Sequence, residues 1–118
     1  MMTSSIIHTT TTSSNFVIVD EMQTTPTAGK YMVSFSASGQ SDRFDANCIV
    51  AIFVGNNEVS GSQRHLYGDG DGHSPNFKMC IHSQALVDVD GNQAITIRWK
   101  TDKGIFKLHQ RNLIILKA

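Results

Sequence analysis

Apolar and polar residues alternate with a period of two along most of this chain, and clusters of turn residues separate the alternating segments. The pattern is clearest in residues 30–37 and 93–100, where apolar side chains recur at every second position. These positions are Tyr31, Val33, Phe35, Ala37, Ile95, Ile97 and Trp99. A period of two is typical of a strand that is buried on one face, so we predict a strand in each segment.

Further segments extend the strand prediction. Residues 47–54 are almost continuously apolar, as expected for a central strand that is covered on both faces. Residues 16–20 predict a further strand, residues 58–67 predict a polar strand, and residues 77–89 predict a long strand that is apolar at alternate positions. Turns rich in glycine, proline, asparagine or aspartate lie at residues 25–29, 55–57, 90–91 and 102–104. A sustained helical period is not found in any segment.

The final segment, residues 106–118, is apolar almost to the last residue. Because Leu113 through Leu116 would be unfavourable in water, we predict a last strand in the centre of a sheet, with the fold closed around it. We expect a complete one-domain protein that starts at Met1 and stops at Ala118.

About eight strands joined by short turns predict an all-β fold, an antiparallel β-sandwich or barrel. Adjacent hairpins do not distinguish a meander from a Greek key. The predicted core consists of Tyr31, Val33, Phe35, Val50, Ile52, Ile95, Ile97, Trp99, Leu113 and Ile115.

The first 14 residues differ from the rest in composition. Residues 3–14 are rich in threonine and serine, and their large apolar side chains are Ile6 and Ile7. Threonine favours extended backbone, so residues 1–14 are predicted to be either an edge strand or an arm that becomes ordered on a partner. Residues 15–118 are predicted to form the sandwich domain.

The charge balance argues against a nucleic-acid partner. Ten basic and ten acidic residues give a formal net charge of zero, and phosphate binding requires a basic surplus. Charged residues make up 17% of the chain, so little self-repulsion opposes association, and an oligomer is favoured. We find neither a signal peptide nor a stretch long enough to cross a membrane, and we expect synthesis in a cytoplasm.

Candidate catalytic and metal-binding residues do not combine into a recognisable motif. The loop at residues 68–73, Gly-Asp-Gly-Asp-Gly-His, offers two carboxylates for a cation but lacks the later acidic ligand of a calcium loop. The five histidines lack zinc-site spacing, and His82 and His109 are expected on outer faces of strands. Cys48 and Cys80 are expected to be free and buried. We therefore predict no enzymatic activity, no catalytic residue, no metal and no cofactor.

The order of three motifs resembles a known family. They are Pro-Thr-Ala-Gly-Lys-Tyr at 26–31, Val-Ala-Ile-Phe-Val at 50–54 and Arg-Asn-Leu at 111–113. Together they resemble the small jelly-roll domains, similar to the C1q and tumour-necrosis-factor fold, of tailed-bacteriophage virion proteins. The resemblance covers residues 15–118.

The resemblance implies a structural virion protein, often a homotrimer. Because the sequence contains no coiled-coil or collagen-like repeat, a capsid decoration (cement) protein is favoured. Its expected partner is the major capsid protein of the assembled shell, and its location is the capsid surface. The alternative is a tail- or fibre-associated module that binds a receptor or carbohydrate.

The N-terminal segment is the expected contact with the capsid. Its threonines suit strand addition, with Ile6 and Ile7 as apolar anchors. The predicted contact residues are Ile6, Ile7, His8, Thr9 and Thr10. Deletion of residues 2–14 is expected to weaken shell binding without unfolding residues 15–118.

Overall fold

The described residues form strands and no helix. The computed structural model describes residues 1–43, 45–67 and 78–118. Ten strands lie in these ranges: β1 Met2–Ser5, β2 Thr9–Thr11, β3 Val17–Thr24, β4 Gly29–Ser41, β5 Asn47–Val54, β6 Asn57–Glu58, β7 Arg64–Tyr67, β8 Met79–Val89, β9 Ile95–Thr101 and β10 Phe106–Lys117. Consequently, no helix that could cross a membrane occurs within these ranges. The loop at 68–73, weighed above as a candidate cation site, lies outside the described residues.

The strands form two antiparallel sheets. The terminal sheet, named for the two strands nearest the chain ends, has the order β1-β10-β4-β8, and β2 pairs with β10 beyond β1. The opposite sheet has the order β3-β9-β5-β6, and β7 also pairs with β5. Strand β10 is therefore internal, as predicted for an apolar final strand. The predicted all-β antiparallel sandwich is confirmed.

The core lies between the two sheets and contains all ten predicted residues, each at most 7% exposed. Trp99 is 2% exposed, and its ring packs on Phe106 at a centroid distance of 5.0 Å. Some fully buried residues are absent from the predicted core: Val19, Met22, Phe106 and Leu108. The aromatic contact between Trp99 of β9 and Phe106 of β10 joins the two sheets.

Strand β10 contains a bulge that reverses its side-chain alternation. Leu108 pairs with Gly39 whereas Arg111 pairs with Ala37, so β10 has one residue more than β4 between these pairs. Phe106 and Leu108 face the core before the bulge, and Arg111, Leu113 and Ile115 face it afterwards. The expectation that Leu113 through Leu116 are all buried is wrong, because the alternation leaves Leu116 58% exposed.

The structure corrects two other expectations, one about the strand at 58–67 and one about the burial of Cys80. The predicted strand at 58–67 is interrupted between β6 and β7, where Ser62 turns inward and its hydroxyl bonds the backbone of Ile52 and Val59. Cys48 is buried and free as expected. Cys80 is free but exposed, because the inward positions of β8 are those of Ile81 and Ser83.

Truncating Trp99 tests the core. Trp99→Ala should lower the free energy of unfolding by about 3–5 kcal/mol, because it leaves a large cavity beside Phe106. Chemical denaturation measures this change. Tyr67→Ala is the matched control, since this aromatic side chain is 60% exposed. Equal effects of the two substitutions would contradict the core assignment.

Candidate functional site

The N-terminal residues lie along the free edge of β10. Strand β1 pairs with β10 from Met2 opposite Ile114 to Ser5 opposite Arg111, and β2 pairs with residues 106–108 of the same strand. Of the two forms predicted for residues 1–14, the structure has the edge strand. Between β1 and β2, residues 6–8 leave the sheet opposite the bulge of β10. We call residues 6–8 the N-terminal loop.

The predicted contact residues divide into two groups. Ile6 and Ile7 are 76% and 68% exposed, the highest values among large hydrophobic side chains in the part of the chain that the structure describes. His8 and Thr10 are also exposed. Thr9 is buried, and its hydroxyl donates to the Asp20 carboxylate at 2.6 Å. The structure thus brings Ile6, Ile7 and His8 together at the surface and gives Thr9 an internal role.

Arg111 anchors the N-terminal loop from below. Its side chain is 3% exposed, and Nη1 donates to the carbonyl oxygens of Ile7 at 2.6 Å and His109 at 3.0 Å. Nε and Nη2 donate to the carbonyl of Asp20, each at 3.3 Å. Burial lowers the pKa of Arg111, while the carboxylates of Glu21 and Asp20 act in the opposite direction. The guanidinium therefore joins the loop, β10 and β3.

An irregularity in β3 presents the carbonyl that Arg111 needs. Ile18 pairs with Arg98 and Gln23 with Thr96, so β3 bulges between these pairs. Glu21 lies inside the bulge with φ of 70°, in the left-handed region that non-glycine residues rarely adopt. Bulges commonly redirect side chains, and here the irregular stretch is bounded by two buried residues, Val19 and Met22.

Arg111 is the residue of this site that the sequence analysis missed. It entered only as the first residue of the Arg-Asn-Leu motif. The available signal was its phase, since it shares the alternation of Leu113 and Ile115. A basic residue in phase with core positions predicts a buried side chain that must find hydrogen-bond acceptors.

His8 of the N-terminal loop contacts β10 through a second histidine. His109 Nδ1 lies 3.1 Å from His8 Nε2, and His109 Nε2 lies 2.6 Å from Gln40 Oε1. The two rings meet edge to face at a centroid distance of 4.3 Å. Burial lowers the pKa of His109, and electrostatic interactions with His8, Lys78 and Lys107 lower it further. The loop is thus held by one charged and one titratable group.

Exposed hydrophobic residues form an apolar band on the outer face of the terminal sheet. Register places Leu116 beside Met32 and Met32 beside Leu86 across β10, β4 and β8. Met2 and Ile114 form the adjacent pair. Met2, Leu86 and Leu116 are each more than half exposed, and Met32 is 39% exposed. Apolar side chains that adjoin in this way are typical of a contact surface.

A polar hollow lies on the same face, between the apolar band and the N-terminal loop. Its volume is about 410 Å³. Its lining consists mainly of neutral polar side chains, among them Ser4, Ser36, Ser38, Cys80, Gln110 and Asn112. Among the described residues, no group of three histidine, cysteine or acidic side chains lies close enough to hold a metal ion.

Comparison with known proteins shows the fold. No protein-family model matches the sequence, and no curated protein matches it. The structure of the infectious bursal disease virus Gx strain matches 100% of this chain with a TM-score of 0.59 and 8% identity, over 33% of the viral chain. T=1 particles derived from the same virus match 99% of this chain with a TM-score of 0.60 and 7% identity, over 32% of that chain.

A TNF structure has a related fold. The structure of Eiger TNF from S. frugiperda matches 78% of this chain with a TM-score of 0.50 and 10% identity, over 60% of that chain. In the two viral matches above, this chain spans about a third of the length of the viral chain. At such identities the likeness shows a jelly-roll sandwich, as the resemblance implied.

Removing the donors of Arg111 tests the anchor. Arg111→Met keeps a long side chain but leaves several carbonyl oxygens without their donor, so unfolding should become easier by about 1.5–3 kcal/mol. Hydrogen exchange should accelerate first in β1 and β2. Arg64→Met is the control, because exposed Arg64 also donates to two carbonyls, those of Gly61 and Gln63. The control should change stability by less than about 0.5 kcal/mol. Unaltered exchange in β1 of Arg111→Met would contradict the anchor.

Proposed function

We propose that this chain is a non-enzymatic virion protein, a bacteriophage capsid decoration protein. In this proposal it binds the assembled shell where capsomers meet, and its partner there is the major capsid protein. The observation that carries the proposal is the exposure of Ile6 and Ile7, two consecutive residues on an anchored loop.

Two neighbouring isoleucines in water favour burial against a partner. Full burial of one such side chain contributes about 1.5–3 kcal/mol. Because Arg111 and His109 already hold the loop, little ordering entropy would oppose binding. This differs from the expected arm that orders on its partner, since β1 and β2 are already paired with β10. The loop is a preformed apolar contact.

Stabilisation of the shell follows from selective binding. A ligand that binds assembled subunits and not free ones shifts the equilibrium towards assembly by mass action. Neither a cofactor nor a covalent step is required. The jelly-roll fold occurs in solved particles of infectious bursal disease virus, which supports a virion setting for a chain of this fold.

The apolar band supports self-association, and we assign to it the contact between copies in a homotrimer. A closed three-fold ring joins subunits head to tail, so each copy contributes the band to one neighbour and another part of its surface to the other, and such a ring suits a local three-fold junction. The band contains Leu86 and Leu116, and the polar hollow lies between the band and the N-terminal loop. The two apolar surfaces can therefore serve two different contacts.

A tail- or fibre-associated carbohydrate-binding module is the second candidate. The polar hollow favours it, because hydroxyl and amide groups such as those of Ser36, Ser38 and Asn112 suit neutral sugars. Glycan binding that is lost in Ser36→Val, without an effect on shell binding, would favour this candidate.

Charged substitutions in the N-terminal loop test shell binding. Ile6→Asp combined with Ile7→Asp should weaken co-sedimentation with assembled empty shells on the order of a hundredfold, because two apolar contacts are lost. The melting temperature should not change, since both side chains are exposed. Ile105→Asp is the control, at 42% exposure. Deletion of residues 2–14 is less suitable than expected from sequence, because it would also uncover the edge of β10.

Wild-type occupancy by the double variant would remove the loop from the mechanism. Equal binding of the wild type to free capsid subunits would contradict selectivity for the shell.

The oligomeric state is tested by light scattering at micromolar concentration. We expect a trimer, and Met32→Lys combined with Leu86→Lys should give monomers, because lysine side chains would be desolvated in the contact. Tyr67→Lys, at an exposed position of the opposite sheet, should remain trimeric. A wild-type monomer would contradict self-association, and a dimer would contradict only the stoichiometry.

A further inference from the structure

We infer that His8 and His109 form an acid-sensitive clasp that holds the N-terminal loop in its binding arrangement. The clasp is a property of the free protein. Its consequence for the shell rests on the proposed function, because the loop carries Ile6 and Ile7.

The hydrogen bonds fix how many protons the two rings can hold. Gln40 Oε1 can only accept, so His109 Nε2 carries a proton. His109 Nδ1 is then free to accept from His8 Nε2 at 3.1 Å. If Nδ1 is protonated as well, the contact survives only with a neutral His8 as acceptor. Two fully protonated rings would place N–H against N–H, and the contact would break.

The surroundings oppose a second positive charge. Lys78 and Lys107 act on His109 from the residue before β8 and from β10, and both repel an imidazolium. The cationic Arg111 donates to the His109 carbonyl, and the group from β4, Gln40, is uncharged. Asp20 accepts from Thr9, and it acts together with Glu21 on Arg111. Acid therefore separates the rings more readily than it would in an isolated histidine pair.

The direction of the pH effect follows from the lowered pKa of His109. The unfolded chain titrates this histidine near its ordinary value of about 6.5. Between that value and the lower folded pKa, the unfolded state binds more protons. The stability associated with neutral His109 is therefore present above pH of about 6.5 and is lost as the pH falls below it.

Loss of the clasp loosens the N-terminal loop but leaves β1 and β2 paired with β10. Arg111 still donates to the Ile7 carbonyl at 2.6 Å, and β1 and β2 still pair with β10. His8 becomes free to move, and the loop keeps the hydrogen bonds of Arg111 and of the Ser5 hydroxyl, which accepts from the Ile7 amide at 3.2 Å. Ile6 and Ile7 then lose their fixed arrangement, which weakens any contact that depends on it.

A nuclear magnetic resonance titration of the free protein from pH 7.5 to 5 tests the clasp directly. The amides of residues 6–8 should shift and become more mobile in the same pH step in which the His109 ring titrates. His109→Gln removes one ring of the clasp, so the mobility of the loop amides should lose this step; their chemical shifts alone do not decide, because His8 itself lies in the loop. His82→Gln, on the outer face of β8, is the matched control and should keep it. Loop amides whose mobility does not respond to pH, or a mobility step that persists in His109→Gln, would overturn the clasp.

Shell binding at pH 7.5 and 5.5 separates the clasp from the proposed function. Wild-type binding should weaken about fivefold at the lower pH, the factor that one neutral hydrogen bond contributes. Binding by His109→Gln should be the same at both values. Wild-type shell binding that is equal at pH 7.5 and 5.5 would overturn the proposed pH regulation. A normal loop titration without shell binding at either pH would leave the clasp intact and contradict the proposed function.

Discussion

Strand β10 has one residue more than its neighbour β4 between Leu108 and Arg111, and its side-chain alternation reverses there. Without the reversal, either Phe106 and Leu108 or Leu113 and Ile115 would face solvent. The bulge thus lets one strand supply apolar residues to the core on both sides of it. It also brings Arg111 inside the sandwich, where its charge must be satisfied.

The buried guanidinium connects parts of the chain that are distant in sequence. Its acceptors are carbonyl oxygens of Ile7, Asp20 and His109, which come from the N-terminal loop, the β3 bulge and the β10 bulge. Among the described residues, every buried side-chain nitrogen or oxygen has a hydrogen-bond partner. Two irregular strands and one loop therefore meet at a single side chain, which together with the contact between His8 and His109 holds the exposed isoleucines in place.

The regular parts of the fold were predictable because strand alternation is a local pattern. The alternating residues 30–37 and 95–99 correspond to β4 and β9, and Trp99 is in the core as its phase predicts. The bulges were not predictable, because an extra residue changes the phase without leaving a signal of its own. The exposure of Leu116 was predictable, because it alternates with Leu113 and Ile115, which face the core.

The candidate site was predictable only in part. Composition indicated the N-terminal segment and its two isoleucines, and these are exposed. Thr9 is buried, unlike the exposed residues of the N-terminal loop, because of the register in which β2 pairs with β10. This register cannot be predicted from the sequence of residues 1–14 alone. The clasp between His8 and His109 joins residues 101 positions apart, so a local pattern could not reveal it.

Electron microscopy of purified particles tests the central claim most directly. At a resolution that orients the sandwich, we predict density for this chain on the outside of the capsid, where capsomers meet. The N-terminal loop should face the shell, with Ile6 and Ile7 against the major capsid protein. Density at the tail, or a loop directed away from the shell, would contradict the account.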